Sequence, residues 1–89
     1  MLYIDDREKS TFNRLVEVKA GKRNIRVEKK RLEVGDYVVG DVCFEAKSAH
    51  DFMASILNKR IWTQLDNMDR CHGRNFLIIY GTIEDAMKF

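Results

Sequence analysis

The chain has 89 residues, 45% of them hydrophobic and 34% charged, with a formal net charge of +2, which allows one domain with a single modest core. No apolar run approaches the roughly 20 residues that cross a bilayer, and the start, Met1-Leu2-Tyr3-Ile4-Asp5-Asp6, lacks the basic and apolar regions of a secretion signal, so an intracellular protein is expected. Cys43 and Cys71 show no C-x-x-C spacing and are expected as buried free thiols rather than a disulfide or a zinc site. In chain order, Leu2-Tyr3-Ile4 reads as a short buried strand delivering Asp5, Arg7 and Glu8 at its C-terminal end, where sheets often carry sites. Ser10 or Thr11 can cap a helix with Phe12, Leu15, Val16 and Val18 on its apolar side, ended by Gly21. From Asn24 to Leu32, Ile25 and Val27 alternate with Arg26 and Glu28, as in a strand with one wet face. Lys19, Lys22, Arg23, Arg26, Lys29, Lys30 and Arg31 crowd this stretch with Glu28 as their only counter-charge. Such a cluster suits phosphate contacts, or simply a solvated basic face.

Next comes a hairpin. Tyr37 to Val39 and Val42 to Phe44 are separated only by Gly40-Asp41, a Gly-X pair that suits a two-residue type II′ turn. That turn pairs Val39 with Val42, Val38 with Cys43 and Tyr37 with Phe44, and sets Asp36 directly opposite Glu45. Alternation puts Glu45 and Lys47 on the face of Asp36, with Phe44 and Ala46 on the other. Two carboxylates roughly 5 Å apart at their Cβ atoms repel, so the pair calls for a cation or for a raised pKa on one carboxyl. Asp36 and Glu45 offer hard oxygen ligands for Mg²⁺ or Mn²⁺, and Lys47 is placed to orient or deprotonate a water. A solvent-facing hairpin dressed with charge fits the spacing equally well, and these residues alone leave both readings open.

After Lys47 the period becomes helical. Ser48 and Asp51 form an S-x-x-D capping pair, and Phe52, Met53, Ile56, Leu57, Ile61, Leu65 and Met68 recur at three- and four-residue steps, which predicts one amphipathic helix from about Ala49 to Arg70 or Cys71. His72 to Asn75 reads as a turn, with His72 a turn residue rather than a ligand. Asn75 to Tyr80 reads as a central strand, and Thr82 as the cap of a last helix, Ile83 to Phe89. The expected fold is therefore a small α/β domain. The crossover helix makes the Phe44-to-Lys47 strand parallel to the Asn75-to-Tyr80 strand, within a mixed sheet flanked by helices.

The run Gly35-Asp36, Glu45-Ala46-Lys47 and Asp51 resembles the G-D-x(n)-E-R-K-x-x-x-D signature of the XPF/Hef type structure-specific endonucleases, a branch of the restriction-enzyme-like nuclease fold. Asp5-Asp6-Arg7-Glu8 is similar to that family's D-x-R-E, Leu32-Glu33-Val34-Gly35-Asp36-Tyr37 to its L-x-V-G-D-Y, and Ser55-Ile56 with Arg60 and Gln64 to its helix. The likeness spans Ile4 to about Tyr80. It implies a restriction-endonuclease-like core in which Asp36 and Glu45, with charge from Asp5, hold Mg²⁺ or Mn²⁺, and Lys47 assists the attacking water. It further implies that Arg7, Glu8, Asp51, Arg60 and Gln64 order the site or touch the phosphate backbone of DNA. Lys59 beside them, and Lys22 and Arg23 of the basic stretch, are taken as further DNA contacts.

The resemblance thus implies a metal-dependent endonuclease acting on forks, flaps or junctions in DNA repair or recombination, in cytoplasm or nucleoid, or in a nucleus. It also implies pairing through nuclease domains as a homodimer or heterodimer, with Trp62, Ile83, Met87 and Phe89 as candidate contacts. Over residues 1–89 a single nuclease domain is expected, short at its C-terminal side and without a helix-hairpin-helix domain. The family's E-R-K arginine is Ala46 here, which favours reduced activity or, as the alternative, a non-catalytic DNA-binding or scaffold subunit.

Overall fold

Among the described residues five strands form, and the hairpin turns where Gly40-Asp41 predicts. Gly40 takes φ 57°, a conformation open to glycine without steric cost, and it aligns Val39 with Val42, Val38 with Cys43 and Tyr37 with Phe44. The structure, a computed structural model, describes residues 1–88. Its elements are β1 (Leu2–Asp5), α1 (Thr11–Lys22), β2 (Val27–Lys30), β3 (Tyr37–Val39), β4 (Val42–Ser48), α2 (Ala49–Leu57), α3 (Arg60–Cys71), β5 (Arg74–Tyr80) and α4 (Ile83–Ala86). β3 lies antiparallel between β1 and β4, whereas β2 runs parallel to β1 and β5 parallel to β4. One mixed sheet results, in the order β2-β1-β3-β4-β5, as expected for this fold class.

Alternation sends Leu2, Ile4, Tyr37, Phe44 and Ala46 to one face, where they pack with Phe12, Val16 and Ala20 of α1. The buried Asn13 of α1 accepts the Tyr37 hydroxyl at 3.0 Å and donates to the Glu8 carbonyl and the Glu17 carboxylate, so its polar groups are satisfied inside the core. On the other face lie Asp5, Asp36 and Glu45, opposite Gln64 and Met68 of α3. The helices thus divide the sheet: α1 seals the apolar side, and α3 walls the side that carries the carboxylates.

Several expectations are corrected. α1 runs past Gly21 and ends at Lys22, and the left-handed residue that follows it is Asn24 at φ 56°. Leu15 and Val18 of α1 are exposed. β2 is exposed at all four positions rather than on one face, because it forms an edge of the sheet. The single long helix is two helices, broken where Lys59 takes φ 66°. β5 is an edge strand and not a central one, which leaves Phe76 and Ile79 half exposed.

α4 covers only Ile83–Ala86, capped reciprocally by Thr82 and Asp85, and Phe89 lies outside the described residues. Cys43 is buried, and burial pushes its thiol up to about 11; Cys71 is exposed rather than buried. Among the described residues no helix is long and apolar enough to cross a membrane.

Candidate active site

Asp5 closes β1 with 5% of its surface exposed, and both of its oxygens are engaged. Arg7 Nε donates to Oδ2 at 3.0 Å and Nη2 to Oδ1 at 3.4 Å, while the Leu32 amide donates to Oδ1 at 3.0 Å. Burial pushes the Asp5 carboxyl up, but the Leu32 amide and the Arg7 guanidinium outweigh it and leave the group below the ordinary range. Arg7 also donates to the Leu32 carbonyl at 2.8 Å. One ion pair therefore pins the chain that leads from β2 toward β3.

That chain reaches β3 through Gly35, whose φ of 85° brings it so close to β4 that an added Cβ would overlap Cys43 Sγ. Past this bend the pairing ladder does not extend to Asp36 and Glu45 as the turn register projects. It stops at Tyr37 and Phe44, and the Asp36 amide donates to the Phe44 carbonyl at 2.9 Å. The Asp36 carboxylate still crosses to β4, where Oδ2 accepts the Ala46 amide at 2.8 Å.

The two carboxylates remain electrostatic neighbours. Asp36 is raised to about 6, first by burial and then by Glu8 and Asp5, against the pull of the Ala46 amide and Lys47. Glu45 is raised to about 7, by burial and then by Asp36, with Lys47 opposing. Asp36 and Glu45 line one cleft of about 300 Å³ with Asp5, Arg7, Glu33, Gln64, Asn67 and Met68. Gln64 Oε1 is buried there without a hydrogen-bond partner.

Other expected residues stand at varying distances from this cleft. Lys47 follows Glu45 by two on the same face of β4, close enough to lower both carboxyls without lining the cleft. Glu8 adds negative potential at both while its Oε1 accepts the Ser10 amide at 3.1 Å. Asp51 is exposed in the first turn of α2, its amide bonded to Ser48 Oγ and its carboxylate 3.8 Å from His50. Lys59 and Arg60 are exposed at the break before α3 and do not line the cleft. Lys22 and Arg23 end α1, the helix on the opposite face, so the structure does not bring them into this site.

Glu33 and Asn67 were not anticipated. Asn67 was readable in principle, because Gln64, Asn67 and Met68 share a helix face by their three- and four-residue spacing. Glu33 sits in a connection outside any strand or helix, and no periodicity reports on it.

Among the described residues no group of three His, Cys, Asp or Glu side chains is arranged to hold an ion. Asp36 and Glu45 offer oxygens suited to a hard cation, while both oxygens of Asp5 already accept hydrogen bonds from Arg7 and Leu32. Crowded, partly buried carboxyls with raised pKa values suit a cation that would compensate their charge.

Comparison with known proteins adds a separate line of support. The family model described as the ERCC4 domain matches residues 4–89. The chain is 33% identical over 88 residues to the 3'-flap repair endonuclease Xpf of Saccharolobus solfataricus, covering 98% of this chain and 36% of that protein. It is 41% identical over 70 residues to an ATP-dependent RNA helicase, by name, of Methanocaldococcus jannaschii, covering 70% of this chain and 9% of that protein. The chain thus spans 36% or less of these relatives' own length. The structure of XPF from Aeropyrum pernix superimposes with a TM-score of 0.78 at 28% identity, over 91% of this chain and 40% of that one. A structure of the same protein in complex with DNA superimposes with a TM-score of 0.77, at the same identity and coverage.

Proposed function

Because the chain belongs to the ERCC4 domain family of XPF-type nucleases, we propose that its cleft hydrolyses phosphodiester bonds in branched DNA, as a metal-dependent, structure-specific endonuclease. The observation that carries this reading is the Asp36 and Glu45 pair, two carboxyls held unusually basic at the wall of one cleft. They would hold Mg²⁺ or Mn²⁺, which when bound offsets charge on a scissile phosphate and makes water more acidic.

The chain's own groups have defined tasks in this scheme. Lys47 places a positive charge beside both carboxyls, where it can orient the attacking water and offset charge in the transition state. Arg7, fixed by Asp5 and the Leu32 carbonyl, has guanidinium N–H groups left to offer a phosphate oxygen. Gln64 contributes the free acceptor Oε1, suited to a water proton. Glu8 and Asp51 support the site from outside the cleft, and Lys59 and Arg60 approach a DNA backbone from the break between α2 and α3. The relative named a 3'-flap repair endonuclease supports forked or flapped DNA as substrate and an intracellular site of action.

Glu45→Gln tests this reading. The variant is expected to lose both Mn²⁺ binding, measured by calorimetry, and cleavage of a labelled fork; undiminished cleavage would remove the proposal.

Ala46 supports a second reading, a non-catalytic DNA-binding or scaffold subunit. Its side chain packs toward α1, on the face away from Glu45 and Lys47. On this second reading Ala46→Arg, with its fold checked by circular dichroism because the arginine enters the apolar face, leaves cleavage absent, whereas a large gain in rate would rule it out.

A further inference from the structure

The cleft is a poor attractor of DNA. Asp5, Glu33, Asp36 and Glu45 line it against one cation, Arg7, and that cation is already paired with Asp5. Without a bound cation such a surface repels phosphates, even with Lys47 beside Asp36 and Glu45, so affinity is best supplied from nearby.

The edge of the sheet next to the cleft carries mostly the opposite charge, with Glu28 the one carboxylate of β2. β2 runs parallel to β1, and its C-terminal end leads directly into the cleft rim: the Asp6 amide donates to the Lys30 carbonyl, Arg31 pairs with Asp6 at 2.8 Å, and Leu32 is held by Asp5 and Arg7. Along the strand, Lys29 pairs with Glu17 of α1 on one face, and Lys30 lies over the Tyr3 ring, 4.3 Å from its centroid, on the other. At the far end, α1 finishes with Lys19 and Lys22, followed by Arg23 and Arg26. Among the described residues these four make no ion pair with a carboxylate.

Their backbone is tied to the sheet. The Ile25 amide donates to the Ala20 carbonyl and the Leu2 amide to the Arg26 carbonyl, so the charges stand on a framework rather than on a loose tail. From Arg26 to Arg31 the strand direction covers about 16 Å, the length of roughly five base pairs at 3.4 Å each.

We propose that the edge of β2, together with the end of α1, is a phosphate track for duplex DNA leaving the cleft. One arm of a branched substrate would run from Arg31 toward Arg26, Arg23 and Lys22. This deepens the endonuclease reading and rests on it for the identity of the polyanion. The track explains how an acidic cleft acquires a phosphodiester substrate, and why a branched DNA, with one segment in the cleft and one along the edge, fits better than a short duplex. The competing role for these cations is to keep an exposed edge strand soluble and unpaired.

The test is binding of a fluorescent DNA fork, in EDTA so that no chemistry intervenes, followed by anisotropy across a series of salt concentrations. The K22Q/R23Q/R26Q variant alters three exposed side chains, and circular dichroism checks its fold. A control, R70Q/K88Q, removes charge elsewhere. The track predicts that the triple variant binds the fork at least about tenfold more weakly, with a log–log salt slope shallower by about 2 to 3, near 0.9 for each phosphate no longer neutralised; the control keeps wild-type affinity. An unchanged affinity and slope in the triple variant, as a role in solubility alone requires, or an equal loss in the control, would overturn the proposal. Failure of the endonuclease reading is distinguishable, because it shows as wild-type protein that binds the fork but does not cleave it when Mn²⁺ is supplied.

Discussion

At Asp36 and Glu45 burial works against charge, and the sign of the resulting pH dependence is fixed. Both folded-state values, about 6 and about 7, lie above the ordinary carboxyl range, so the native protein holds protons that the unfolded chain has already released. Their favourable contribution to stability is complete below about pH 4 and is lost as pH rises through 6 and 7. In EDTA the melting temperature is expected to carry a downward contribution between about pH 4 and pH 7, and Asp36→Asn or Glu45→Gln should flatten it. Cation binding runs the other way, because the ligands must be ionised, so Mn²⁺ affinity measured by calorimetry should strengthen over the same interval. That Asp36 and Glu45 stand close was legible because the two-residue turn sets the register as far as Tyr37 and Phe44; that Asp36 then bonds the Ala46 amide, past the end of that ladder, was not. The engagement of Asp5 by Leu32 was not, since it joins residues 27 positions apart through a connection that has no repeating pattern.

Among the elements, the hairpin depends on its approach as much as on its turn. Gly35 combines a φ of 85° with a backbone that leaves no room for a Cβ beside Cys43 Sγ. Gly35→Ala is expected to destabilise the fold by about 3 kcal/mol, adding a left-handed alanine to an overpacked contact. In urea denaturation Cys43→Ala in the Gly35→Ala background should return the packing part and not the backbone part. The hairpin, the Ser48 cap and the Thr82 cap were all readable because each is local. The break between α2 and α3 was not, because it falls on Lys59 at φ 66° with no glycine to announce it, and the apolar spacing from Phe52 to Met68 carries on across it. β5 misled in a different way: an apolar run looks the same whether neighbouring strands cover both of its edges or only one.

For the molecule as a whole, large apolar side chains remain open after folding. Ile83 is 82% exposed and Met87 72%, with Trp62 exposed on α3 and Phe76 and Ile79 on the free edge strand β5. Exposed apolar side chains such as Ile83 and Met87, four residues apart, favour self-association, so sedimentation equilibrium is expected to show a concentration-dependent dimer, and Ile83→Glu with Met87→Glu should shift it to monomer. The class of fold was readable from strand count and the parallel crossover, whereas which surfaces stay uncovered depends on packing across the whole chain. Asp5 gives the molecule one more property. Its single carboxylate grips Arg7, which stands in the cleft, and the Leu32 amide, which ends the run from the β2 edge. On the proposed function, Asp5 would link the DNA-holding edge to the cleft. Asp5→Ala should cost about 3 kcal/mol of stability, from a buried amide and a guanidinium left without their acceptor. If the proposed function and the phosphate track both hold, Asp5→Ala should also lower fork affinity and cleavage together, whereas Glu45→Gln is expected to abolish cleavage and leave fork affinity in EDTA unchanged.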